Sequence, residues 1–313
     1  MFYPEKMNRV TIVSPKAYMK EVIDILYSLG VIHIKDYLPG DMPTGTPLKD
    51  AENVSELILE LHSIKSQIPV EKSVSKKKMT SKEMERYVRS IKSRVTSLSL
   101  EINNLNEKNK SLEKEKEDLE FLSSSGIESL DVLKEYKNFD LLFGYVENLE
   151  QVKRTSTVLS SSKKIGKLYP IAVLVRKDKK QDIISTKKFN EIKLNVKGTG
   201  SVDKRLKEVA DIIKSLKNKI VDLKKDLNKI SKESSGKINY IESVLMERIK
   251  KSEAPLKFAS SSHAFLVNGW IPVKGRKILL QKLSGISENI FVKLEDVHDD
   301  EEVPTKMSNP TPV

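Results

Sequence analysis

The sequence predicts an α+β protein: two α/β lobes joined by a long antiparallel two-helix coiled coil, dumbbell shaped. Three observations predict it. Two stretches far apart in the chain repeat the same seven-residue apolar rhythm. The segment between them reads as a compact lobe able to turn the chain round. Short β-branched strands with amphipathic helices between them occupy both ends of the chain.

The first rhythm places Met84, Val88, Ile91, Val95, Leu98, Ile102, Leu105, Leu112 and Leu119 at alternating steps of four and three, interrupted only by Asn109 and Lys116. The second runs through Val202, Leu206, Val209, Ile213, Leu216, Ile220, Leu223, Leu227 and Ile230, slips at Ser234-Ser235-Gly236, and resumes at Ile238, Ile241, Leu245 and Ile249. A narrow apolar seam in an otherwise charged helix needs a partner seam. At ~1.5 Å per residue the two helices reach roughly 50 and 70 Å. Each could pair with another chain; pairing with each other is favoured, because the intervening lobe returns the chain. The slip is a hinge candidate, since an inserted four-residue step unwinds a supercoil locally.

The elements follow in order. Residues 7–13 read as a strand, and Ser14-Pro15 opens a helix, where proline's missing N–H costs little. Tyr18, Val22, Ile25, Leu26 and Leu29 line its inner face, Gly30 ends it, and residues 31–34 form the next strand. This βαβ unit puts two parallel strands in one sheet. In the turn-rich loop that follows, Gly40 and Gly45 have P-loop spacing but lack the lysine that grips phosphate. A helix through Val54, Leu57, Leu61 and Ile64 ends before Pro69; a basic linker covers 72–82, and Thr80 with Glu83 makes a capping box for the first long helix. Beyond Ser123-Ser124-Ser125-Gly126, the sequence predicts strand 139–146, helix 149–159, strand 171–175, helix 181–188 and strand 192–196. After Pro255, strand 263–271, helix 277–283 and strand 290–294 form another βαβ unit, which would complete a ferredoxin-like sheet with the first. Leu142–Val146 echoes Val267–Ile271, a weak internal repeat. The resulting domains are 1–50 plus 256–313 (proximal lobe, split), 51–122 and 201–255 (handle), and 123–200 (distal lobe).

Composition bounds the chemistry. The chain has 313 residues, 32% charged and 6% aromatic, which suits solvated helices over modest cores. It has no cysteine, hence no disulfides and no thiolate chemistry, which points to the cytoplasm. No run approaches the ~20 apolar residues of a membrane span, and the start lacks a signal-peptide core. His33, His62, His263 and His298 show no ligand spacing, and no catalytic constellation appears. The expectation is therefore a non-enzyme without cofactor, metal or small-molecule substrate.

The formal charge of +12 is concentrated partly in the distal lobe. Lys163, Lys164, Lys167, Arg176, Lys177, Lys179 and Lys180 form the candidate partner-binding cluster. Two readings stand. An acidic protein partner would be steered by such a patch; nucleic acid would too, although exposed aromatics for base stacking are scarce.

Four stretches carry a family resemblance: KMNRVTIV at 6–13, LYSLGVIHIKD at 26–36, FLVNGWIPVKG at 265–275 and VPTKMSNP at 303–310. They resemble subunit I, also called a, of the A-type and V-type rotary ATPases that move protons or sodium ions. The resemblance implies the soluble N-terminal portion of a stator subunit, lying on the cytoplasmic face of the membrane and ending where a membrane domain, missing here, would begin. It implies that the soluble half anchors peripheral stalks built from subunits E and H (or G) and resists rotor torque, linked through the complex to the rotor ring and the central-stalk component C (d). The alternative is a coiled-coil adaptor or a nucleic-acid-gripping helical arm.

Overall fold

The computed structural model describes residues 3–40, 42–73, 75, 78–150, 157–161, 164–184, 189–196, 198–297, 304 and 307–308. The chain divides into two compact units: residues 1–93 with 231–313, and residues 94–230. In chain order the elements are β1 (Tyr3–Pro4), β2 (Met7–Pro15), α1 (Met19–Leu29), β3 (His33–Ile34), α2 (Ala51–Gln67) and α3 (Ser81–Ser124). They continue with β4 (Phe139–Val146), β5 (Thr157–Ser161), β6 (Tyr169–Arg176), α4 (Lys180–Ile184), β7 (Phe189–Ile192) and α5 (Val202–Glu253). Last come β8 (Ala259–Ser260), β9 (Ala264–Pro272), α6 (Arg276–Ser284), β10 (Phe291–Asp296) and β11 (Met307–Ser308).

The main sheet of the first unit has the order β10-β2-β9-β3, with every neighbouring pair antiparallel. β2 and β3 therefore run the same way, as a βαβ unit requires, but β9 lies between them. Strands from the two ends of the chain thus share one sheet in the ferredoxin-like order. Alternation sets the faces: Val10 and Ile12 of β2 share a core with Phe265, Val267 and Ile271 of β9, closed by Val22, Ile23 and Leu26 of α1. Phe258 stacks on Phe265 at 5.7 Å between ring centroids. Trp270, one residue out of phase with Ile271, belongs to the opposite face, across from Arg9 and His33. β1 and β11 form a separate antiparallel ribbon.

The second unit holds the sheet β5-β6-β4-β7, also antiparallel throughout. Counted in local strand order, this is the arrangement of the first unit. Two sequence expectations are corrected. The helix expected over 149–159 cannot reach its end, because Thr157–Ser161 is strand β5; β-branched Thr157 and Val158 pair with β6. The final strand is Phe189–Ile192 rather than 192–196, since Phe189 pairs with Val146 and is buried against it while Asn190 and Glu191 are exposed on an edge strand. Val196 is buried all the same, outside any strand, among Leu122, Leu130 and Val202.

In each unit α3 and α5 run antiparallel. In the second unit Glu101 meets Lys219 and Glu115 meets Arg205, so advancing along α3 retreats along α5. In the first unit Ser81 meets Arg248 and Tyr87 meets Lys237. α2 joins them there through Lys65–Glu242 at 2.7 Å and Lys92–Glu60 at 2.8 Å, with Leu61 and Ile64 buried beneath.

Candidate functional site

The basic cluster predicted for partner binding is parted by β6. Lys164 and Lys167 lie on the turn into β6, where Ile165 and Leu168 exchange two backbone hydrogen bonds of 2.8 and 3.1 Å around Gly166 at φ 62°. Lys164 Nζ stands 5.5 Å from the Tyr169 ring centroid. Arg176, Lys177, Lys179 and Lys180 sit at the other end of the same strand. The strand between them runs from Tyr169 to Arg176, and its steps of about 3.3 Å set its two ends roughly 23 Å apart. Lys163 lies outside the described residues.

Acidic partners, which the sequence reading missed, temper the second group. Arg176 Nε is 3.2 Å from Asp178 Oδ1, and Lys180 Nζ is 2.9 Å from Asp140 Oδ2. Asp178 could have been found from its spacing to Arg176; Asp140 could not, because β4–β6 register brings it there. Lys177 and Lys179 remain exposed, and each corner carries an accessible apolar neighbour, Ile165 or Phe139. The geometry offers two small mixed surfaces rather than one basic field.

The predicted seam residues face inward to different degrees. Val88, Ile91, Val95, Ile102, Val209, Ile213 and Ile220 are buried, whereas Leu98, Leu105, Leu206, Leu216 and Leu223 are partly exposed. Ion pairs flank this seam: Glu101–Lys219 at 2.7 Å, Glu113–Lys217 at 2.8 Å and Glu115–Arg205 at 2.7 Å. The Lys217 hydrogen bond, with a second from Asn109, holds the Glu113 carboxyl below its ordinary range. Hydrogen bonding to Glu115 raises Arg205 above the usual guanidinium value despite partial burial. Asn109, which interrupts the stripe, has a buried Oδ1 without a hydrogen-bond partner among the described residues. A lone polar seam residue of this kind costs stability and opposes other registers.

The hinge candidate Ser234-Ser235-Gly236 is continuous helix within α5. Ser231, Ser234 and Ser235 are buried, and their small side chains let the described non-helical residues after α2 approach the helix closely. Ser231 Oγ donates to Pro69 O, the Glu71 N–H donates to Ser235 Oγ at 3.0 Å, and the Ser75 N–H donates to Gly236 O at 2.9 Å. Asn239 Nδ2 adds bonds of 2.7 Å to the carbonyls of Glu71 and Ser73. At the level of the slip α5 meets non-helical backbone after α2, through the bonds to Pro69, Glu71, Ser73 and Ser75.

The NGWIP piece at 268–272 has an equally local reason. A Cβ on Gly269 would stand 2.5 Å from His33 O on β3, and one on Gly144 of β4 would stand 2.4 Å from Asn190 O on β7. Each glycine lies where a central strand passes close to a short edge strand, although in local strand order Gly144 is on the first strand of its sheet and Gly269 on the third. Of VPTKMSNP only Pro304, Met307 and Ser308 are described. Among the described residues no three His, Asp or Glu side chains are grouped to hold a metal, and no helix is long and apolar enough to cross a membrane.

No family model matches the sequence. Over 328 aligned positions that include the whole chain, it is 26% identical to A-type ATP synthase subunit I of Archaeoglobus fulgidus, covering 47% of that protein. It is 22% identical, over 94% of the chain, to A-type ATP synthase subunit I of Halobacterium salinarum, covering 42% of that protein. The chain thus spans about half the length of these relatives. A solved structure described as the cytoplasmic N-terminal domain of subunit I, homolog of subunit a, of V-ATPase overlays 92% of this chain and 99% of its own at TM-score 0.49 and 14% identity. The resemblance carried by the four stretches of sequence is borne out: along its whole length the chain is similar to subunit I.

Proposed function

We propose that the chain is the N-terminal half of a subunit I and serves as a non-catalytic stator of an ion-translocating A/V-type ATPase or ATP synthase. In this reading it lies at the cytoplasmic face of the membrane, as two α/β lobes (1–50 with 256–313, and 123–200) on a helical handle. It holds the ends of peripheral stalks made of subunits E and H (or G). The remainder of subunit I engages the rotor ring, and the same complex includes the central-stalk component C (d).

One observation carries the reading: in a chain similar throughout to subunit I, α3 and α5 pair antiparallel and are laced by Glu101–Lys219, Glu113–Lys217 and Glu115–Arg205. Helices of 44 and 52 residues that pair in this way resist bending far better than either alone. An element that must withstand torque while a rotor turns needs that stiffness. The two corners flanking β6 supply what a protein interface draws on, charge for approach and apolar area for affinity. A hinge at 234–236 would have to break the hydrogen bonds to 69–75, so we assign bending a minor part.

The test is titration of the purified chain against the E–H heterodimer of the same complex and against single-stranded RNA, across a salt series. The expected result is stalk binding that weakens moderately with salt and forms more slowly when Lys177, Lys179 and Lys180 are changed to glutamate. RNA binding with a steep salt dependence, as counterion release requires, together with no stalk binding, would replace the stator with the nucleic-acid-gripping arm.

A further inference from the structure

A cleft of about 370 Å³ opens in the first unit where α1, the lead into α2, the start of α3 and the last turns of α5 converge. Each long wall is one helical face. Lys20 and Asp24 are four apart on α1, while Arg248, Lys251 and Ser252 fall three and four apart on α5.

The charges divide into two kinds. Lys251 is committed: its Nζ lies 3.0 Å from Glu247 and 3.3 Å from Asp24. Burial works against that ammonium, yet these bonds prevail and its pKa lies above the ordinary lysine value. Asp50 accepts a 2.9 Å hydrogen bond from Ser252. Lys20 and Arg248 are not committed. Among the described residues neither has a carboxylate partner, and Arg248 spends one N–H on Ser81 Oγ at 2.8 Å. Arg248 as a residue is half-buried, and its guanidinium has further donors in a planar fork that fits phosphate oxygens. Two cations without carboxylate partners thus line one concavity, where a bound anion would neutralise them.

Asp24 and Asp50 refine the ligand. Carboxylates on the rim disfavour a bare polyanion but accept hydrogen bonds from hydroxyl groups. Ile23 and Leu48 give an apolar floor for a carbon skeleton. The size falls in the usual range for small-molecule sites. We propose that this cleft binds a phosphate ester bearing hydroxyl groups, with Arg248 and Lys20 on the phosphate and Asp24 and Asp50 on the hydroxyls.

Calorimetric titration of the whole chain tests this without reference to the stator reading. Ribose 5-phosphate serves as the soluble probe, inorganic phosphate and ribose as its halves, and phosphatidylcholine vesicles containing phosphatidylglycerol as the membrane-borne source of the same groups. Ribose 5-phosphate or the vesicles should bind more tightly than either half. Arg248→Gln should weaken that binding roughly tenfold or more, about 1.4 kcal/mol, and Lys20→Gln should weaken it several-fold. Vesicle binding with those same losses identifies a lipid headgroup as the source. Should Arg248→Gln fail to fold, Lys20→Gln decides, because Lys20 is exposed on α1. Absence of binding to both probes at millimolar phosphate, or binding that the substitutions leave unchanged, overturns the proposal.

Discussion

Arg205 of α5 reaches across to Glu115 of α3 with two nitrogens, Nε at 2.8 Å and Nη2 at 2.7 Å, both on the same carboxylate oxygen. The pair ties the start of α5 to the late part of α3, next to the core of Leu112, Leu119 and Leu206. It is partly exposed, so its worth is bounded by solvent screening. A double-mutant cycle with Arg205→Met and Glu115→Gln should return a coupling of about 0.5–1 kcal/mol in urea unfolding at low salt, shrinking as salt is added. A coupling of zero at low salt would remove the pair from the account of handle stiffness.

Acid should loosen the same helix pair. The Glu113 carboxyl is held below its ordinary value of 4.5 by its bond to Lys217. A carboxyl whose folded pKa is depressed adds stability above its unfolded pKa and loses it as pH falls through the folded value. The contribution should therefore be constant near neutrality and decline below about 4.5. NMR titration of the Glu113 side chain in the native chain and in Lys217→Gln checks this: the midpoint should rise in the variant, and an unchanged midpoint would contradict the assigned cause.

Gly144 and Gly269 should not tolerate a methyl group. Contacts of 2.4 and 2.5 Å with edge-strand carbonyls force backbone to move. Alanine at either position should cost about 2 kcal/mol or more. Gly285, at φ −67° and with Cβ neighbours no closer than 3.4 Å, is the control, where alanine should be neutral or slightly stabilising by roughly 0.5 kcal/mol. Thermal melts of the three variants decide it; equal shifts in all would refute the close-approach argument.

The strap over α5 should depend on Ser235. Ser235→Ala leaves the Glu71 N–H without its acceptor, a loss of about 1–3 kcal/mol if the group stays dry. Ser235→Leu should displace residues 69–75 altogether. Hydrogen exchange at Glu71 should accelerate in the first variant, and proteolysis between 69 and 75 in the second, while exchange in β4 and β6 stays as in the parent. Unaltered protection at Glu71 would mean that the contact contributes nothing.

Much of this was legible before folding. The inward residues of β2 and both seams follow from periods of two and three and a half, because backbone geometry decides which side chains share a face. On α1 the expected face is only half right, since Val22 and Leu26 are buried but Met19 and Ile23 join them in place of Tyr18, Ile25 and Leu29, which are partly buried. The errors fall where local pattern is weak. Thr157–Ser161 is polar and serine-rich and becomes a strand only through its pairing with β6. Phe189–Ile192 lacks clean alternation because it is an edge. Ser234-Ser235-Gly236 reads as a slip in the seam because its partner is non-helical backbone after α2, which leaves no periodic trace.

The amino-acid sequence by itself determined the long helices, their apolar seams, the βαβ units at both ends and the likeness to subunit I. Each of these is written in near-neighbour spacing or in contiguous motifs. Tertiary structure alone decided the strand order β10-β2-β9-β3, the parting of the basic cluster by β6, and the meeting of Lys20 with Arg248 around one cleft. Those depend on which distant surfaces bury one another. Charged side chains at the ends of strands and helices carry no period that announces where their neighbours will be; only packing of the apolar faces beneath them brings them together or holds them apart.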